Sequence, residues 1–96
     1  MELTYKNEKL RKLCESQELI KKYGVEVAKK LPKRIKELKA FNSLADVPSS
    51  PPYRRHKLQG DRYGEYAINI TSQYRLIFKQ LDNNIIIENL REIKKI

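Results

Sequence analysis

Side chains able to do chemistry concentrate in one part of this 96-residue chain, between Arg54 and Lys79. Arg54, Arg55, His56 and Lys57 run into Gly60-Asp61-Arg62-Tyr63-Gly64, and Arg75 follows among Leu76, Ile77 and Phe78. His56 is the only histidine. Imidazole exchanges protons near neutral pH, and guanidinium presents a fork of donors to phosphate or carboxylate. Gly60, Asp61 and Gly64 supply turn chemistry between extended segments. Antiparallel pairing brings together positive side chains from either side of such a turn, which is how a small sheet builds a place for an anion.

The rest of the chain must position these groups. Leu3 to Tyr5 reads as a short first strand. Asn7 caps a helix with Leu10, Leu13, Cys14 and Ile20 on its apolar face, and Gly24 stops it after Lys21 and Lys22. A second helix repeats Ala28, Leu31, Ile35 and Leu38, with Lys29, Lys33, Lys36 and Lys39 outward and Pro32 bending the rod. Those lysines read first as a solvated helix face. Ser43 to Val47 makes one short turn, and Pro48 to Pro52 is a stiff non-helical connector. From Tyr53 the period becomes two: a strand over 54–59, another carrying Tyr66, Ile68 and Ile70, a loop at Thr71-Ser72-Gln73, and an apolar strand from Tyr74 to Gln80. After a turn at Asp82-Asn83-Asn84 comes a last strand over 85–93. Helices first and strands later predict an α+β fold. An N-terminal antiparallel helical hairpin packs on a twisted, mostly antiparallel sheet of four to five strands.

Parity sharpens the prediction. With Leu76 and Phe78 toward the helices, Arg75, Ile77 and Lys79 face the open side, as do Ala67 and Asn69. The competing reading of Arg75 is a surface ion pair with a carboxylate such as Glu88. Strict alternation places His56 opposite Lys57 and alongside Leu58, toward the helices, so it reaches the open face only if its strand starts late or is bulged. A partly buried structural histidine is the alternative. Tyr66 and Tyr74 read as packing.

Size and composition set bounds. Ninety-six residues make one domain, 1–96, with a single modest core. No apolar run approaches the ~20 residues that span a bilayer, and the first ten residues lack the apolar centre of a signal peptide. The cytoplasm is therefore the expected location. One cysteine, Cys14, excludes an internal disulfide or a cysteine-rich zinc site, and one histidine with scattered carboxylates offers no metal-ligand spacing. No cofactor is expected. Twenty-one Lys and Arg against twelve Asp and Glu give a net charge of +9, which points to a polyanion such as RNA, DNA or the ribosome, or to an acidic protein.

Taken in order, His56-Lys57-Leu58-Gln59-Gly60-Asp61-Arg62-Tyr63-Gly64, Glu65 to Ile70, and Tyr74-Arg75-Leu76-Ile77-Phe78 resemble the RelE/ParE superfamily of bacterial toxins. The likeness is closest to its HigB branch of plasmid-maintenance killer proteins, and it spans nearly the whole chain. Two departures stand out. Gln59 occupies the place of the branch's lysine before glycine, and the end, Glu92-Ile93-Lys94-Lys95-Ile96, lacks the branch's Asp-Tyr-His.

The resemblance implies a toxin that cleaves messenger RNA on the ribosome by attack of a ribose 2′-hydroxyl on the adjacent phosphate, held in check by a helix-turn-helix antitoxin of the HigA kind. By that resemblance His56 is the proton-transfer group and Arg75 the phosphate stabiliser. Arg54, Arg55, Lys57 and Arg62 hold the RNA backbone, and Lys94 supplies a cation where the C-terminal motif is absent. Two alternatives stay open: a gyrase inhibitor of the ParE kind or an inactive family member, and a basic RNA- or ribosome-binding module without toxicity.

Overall fold

The computed structural model describes residues 1–60 and 64–93. The chain runs β1 (Leu3–Tyr5), α1 (Glu8–Cys14), α2 (Glu18–Tyr23), α3 (Val25–Ala40), a 3₁₀ turn (Leu44–Asp46), β2 (His56–Lys57), β3 (Glu65–Asn69), β4 (Tyr74–Leu81) and β5 (Asn84–Glu92). The five strands form one sheet in the order β1-β5-β4-β3-β2, antiparallel except for the β1–β5 pair. This is the α+β architecture that the pattern of elements predicts.

Helix α3 organises the core. Val27, Leu31, Ile35 and Leu38 recur at helical spacing and are buried, with Leu31 and Leu38 wholly so. They pack with Ile68, Leu76, Phe78, Ile85, Ile87 and Leu90 from three strands of the sheet. Each such side chain contributes about 1.5–3 kcal/mol by leaving water. Pro32 sits inside this helix without ending it. Its missing N–H leaves the Ala28 carbonyl without the usual intrahelical donor.

Two local expectations change. The first predicted helix is two short ones, separated at Glu15–Gln17, and the buried residue of the second is Leu19, whereas Ile20 is 48% exposed. A helix broken there no longer carries one continuous apolar face, so the stripe from Leu10 to Ile20 does not form. The predicted 54–59 strand shortens to His56–Lys57. Arg54, at φ 49°, lies in the left-handed region and keeps the chain from extending earlier.

At the other end of the sheet, Thr71 closes the β3–β4 loop. Its Oγ1 accepts hydrogen bonds from the backbone N–H groups of Gln73 (3.1 Å) and Tyr74 (3.0 Å). Tyr66 stacks with Phe78, and Tyr74 meets Tyr23 edge to face, so both tyrosines pack as expected. Among the described residues no helix is long and apolar enough to cross a membrane.

Candidate active site

Register brings the site together. His56 on β2 lies opposite Ala67, which lies opposite Ile77, which lies opposite Asn89. The neighbouring row is Asn69, Arg75 and Arg91. Residues paired across strands share a face, so His56, Arg75 and Arg91 stand together on the side away from the core helices. Ala67 and Ile77 form the floor. Both are fully buried although they lie outside the core cluster.

This corrects the parity argument for His56. Leu58 does share its side, as alternation requires, since the Leu58 N–H donates to the Glu65 carbonyl in the same ladder (2.9 Å). That side is the open face, however, and Leu58 is half-buried there without joining the core. A second, smaller apolar layer under the site accounts for a leucine that otherwise reads as core. Lys57 consequently points the other way. It pairs with Tyr66 on the helix side, with Nζ 5.9 Å from the ring centre. It is placed for a cation–π contact and not for the His56–Arg75 face.

The imidazole is held at both nitrogens. Nδ1 lies 2.8 Å from the Arg54 carbonyl oxygen, and Nε2 lies 3.4 Å from Arg75 Nη1. A carbonyl only accepts, so Nδ1 carries the proton. Guanidinium only donates, so Nε2 presents its lone pair. Both contacts select the same neutral tautomer, with a basic nitrogen on the open face beside a guanidinium. Arg54 is held in its left-handed conformation by a hydrogen bond from its N–H to the Ser50 carbonyl (3.0 Å), and the Tyr53 carbonyl accepts from the Asn69 N–H (2.7 Å). Such a conformation costs on the order of 1 kcal/mol at a non-glycine residue. Here it occurs at the residue that orients the imidazole.

Arg75 is half-buried, and its Nε is buried without a hydrogen-bond partner among the described residues. The ion pair with Glu88 is not formed. That carboxylate meets Lys79 (3.6 Å) and Lys6 (3.9 Å) instead. Arg91, directly across from Arg75, escaped the sequence reading. The β4–β5 register shifts between Ile77 and Phe78, where Glu88 is the extra residue on β5. A bulge of this kind reverses the parity of everything beyond it, and so turns Leu90 to the core and Arg91 to the open face. Two like charges directly opposed destabilise a sheet. A shared anion removes that cost.

The remaining expected contacts divide. The Arg54 side chain is exposed, while its carbonyl serves His56. Arg55 is half-buried and its Nε donates to the Val47 carbonyl (2.8 Å), which pins the connector. Arg62 and Lys94 lie outside the described residues.

The fold has counterparts. YafQ from E. coli strain BL21(DE3) superposes with a TM-score of 0.68 at 21% identity, covering 95% of this chain and 91% of that one. The YoeB/ParE toxin from Agrobacterium tumefaciens does so at 0.63 and 16%, covering 98% and 100%. The toxin chain of the heterotetrameric YoeB–YefM toxin–antitoxin complex from Staphylococcus aureus gives 0.63 and 16%, covering 98% of each. No curated protein matches the sequence significantly. A family model described as the RelE-like toxin of the type II toxin–antitoxin system HigB matches residues 3–91, which take in all five strands except Glu92, the last residue of β5. With nearly its whole length so matched, the chain belongs to the RelE-like HigB toxins of type II toxin–antitoxin systems.

Proposed function

We propose that this toxin is an endoribonuclease that cuts messenger RNA on the ribosome, through 2′-hydroxyl attack on the adjacent phosphate. The observation that carries the reading is the paired fixing of His56, with Nδ1 on the Arg54 carbonyl and Nε2 beside Arg75. In that tautomer Nε2 takes the 2′-hydroxyl proton as the 2′-oxygen–phosphorus bond forms. The bond from phosphorus to the 5′-oxygen breaks, water protonates the leaving oxygen, and the products are a 2′,3′-cyclic phosphate and a 5′-hydroxyl. Arg75 and Arg91 meet the charge that builds on the phosphate oxygens, each able to donate two parallel hydrogen bonds.

The net charge of +9 supports a polyanionic template. Family membership supports an antitoxin partner, proposed here as a helix-turn-helix protein of the HigA kind, and action in the cytoplasm, where ribosomes are. The test is mapping of message ends in cells expressing the wild type, Arg75→Ala or His56→Ala, each first shown to fold. Cuts from the wild type that vanish in both variants are expected. Uncut messages in wild-type cells, with failed DNA supercoiling in their place, would replace the nuclease with a gyrase inhibitor.

A further inference from the structure

A groove of about 520 Å³ runs between α3 and the corner that joins α1 to α2. Ala28, Pro32, Ile35, Lys36 and Lys39 form its α3 wall, and Ser16, Gln17 and Ile20 line the other side. The buried Cys14 and Leu19 line it at depth, together with Tyr5 of β1. Tyr5 pairs with Ile87, a core residue, so the groove lies on the helix side of the sheet, away from His56 and Arg75. From Ala28 to Lys39 the wall extends about 16 Å, roughly three turns of helix. It is a second stripe on α3, beside the buried Val27, Leu31, Ile35 and Leu38. Its first half is apolar and its second half cationic. Across from it Ile20 is largely exposed, although its neighbour Leu19 is buried. Lys36 and Lys39 are exposed and form no ion pair with a described residue. Glu15, the acidic residue of the lining, is already held by Arg11 (2.7 Å).

Apolar surface and free cations in one groove restrict what can fill it. Covering Ile20, Ala28 and Pro32 takes apolar side chains, which a sugar-phosphate backbone does not offer. A second copy of this chain would bring another net charge of +9 toward Lys36 and Lys39. An acidic, amphipathic protein segment meets both requirements. We infer that the groove docks such a segment of the antitoxin, as a helix of about three turns. Its apolar residues, spaced by three and four, lie on Ile20, Ala28 and Pro32. Carboxylates along one edge of the same helix meet Lys36 and Lys39. This rests on the antitoxin partnership proposed above and adds a surface to it; it is independent of the nuclease reading.

Calorimetric titration of the toxin with the helix-turn-helix protein encoded beside it tests the surface. Ile20→Asp and Lys36→Glu/Lys39→Glu, each first shown by thermal melting to fold, are compared with Leu81→Asp. Leu81 is an apolar residue, 58% exposed, that lies outside the groove. Ile20→Asp should weaken binding by about tenfold or more, because it sets a carboxylate among apolar contacts. Lys36→Glu/Lys39→Glu should do the same in low salt and less in high salt, where the lost attraction is already screened. Leu81→Asp should bind as the wild type does. Wild-type affinity in both groove variants overturns the surface and leaves the partnership standing, as does equal weakening by Leu81→Asp. No binding by the wild type itself overturns the partnership, and the docked segment falls with it. Two other occupants are read from the same proteins. A dimer in sedimentation that Ile20→Asp dissociates gives the groove to a second copy. Loss of RNA affinity in the groove variants, with antitoxin binding intact, gives it to RNA, and either result overturns the inference.

Discussion

Arg91→Gln tests whether the open face is built for an anion. Arg75 and Arg91 are directly opposed on β4 and β5, an arrangement in which like charges cost about 0.2–1 kcal/mol. Both are half-exposed, so solvent screening keeps the cost within that range. In a domain of this size 1 kcal/mol moves the melting temperature by about 4–8 °C. Replacing Arg91 with neutral glutamine should therefore raise the melting temperature of the ligand-free protein by about 1–8 °C in low salt. The gain should shrink in 0.5 M sodium chloride as the repulsion is screened. Inorganic phosphate should stabilise the wild type far more than the variant. At ten times its dissociation constant for the wild type it adds about 1.4 kcal/mol of native-state stabilisation, or about 6–11 °C. Most of that should be lost in the variant. RNA cleavage should fall while stability rises. Calorimetry with and without phosphate at two salt concentrations reads all of this. A variant less stable than the wild type in low salt, or one equally stabilised by phosphate, would refute the idea that the two guanidiniums await a shared anion.

Other outcomes follow from the same structure. His56→Gln should lower cleavage by about 10²–10⁴-fold and move stability by less than about 0.5 kcal/mol, because the ring is exposed; single-turnover assays and thermal melts separate the two effects. Phe78→Ala, at a wholly buried position that stacks on Tyr66, should cost about 3–5 kcal/mol, measured by urea titration. Burial pushes the Cys14 thiol from 9.0 up to about 11 and the Tyr5 phenol from 10.0 up to about 12, with the nearby Glu15 carboxylate adding to both. Folding thus favours their neutral forms. The stability they contribute is complete below pH 9 and is lost as pH rises through 11 to 12. Urea midpoints should accordingly decline above pH 9, and a midpoint that climbs over that interval would contradict the sign.

Much of this protein was legible before any coordinates. The three- and four-residue repeat of Leu31, Ile35 and Leu38 marks α3, because a helix buries one stripe whatever its partner. The alternation of Tyr66, Ile68 and Ile70, and the turn residues at 82–84, mark the sheet for the same local reason. Arg75 on the open face also follows from parity, since Leu76 and Phe78 leave it no other side. What waited for the tertiary structure was everything that depends on register between strands. Alternation with Leu58 points His56 inward, yet only the Ala67 and Ile77 floor reveals a second apolar layer that a leucine can join. Arg91 is not legible in the sequence because a single extra residue, Glu88, reverses the parity of the strand beyond it. The pattern within one strand records which faces are apolar. Pairing between strands decides which charges meet, and that is settled only when the whole sheet closes against α3.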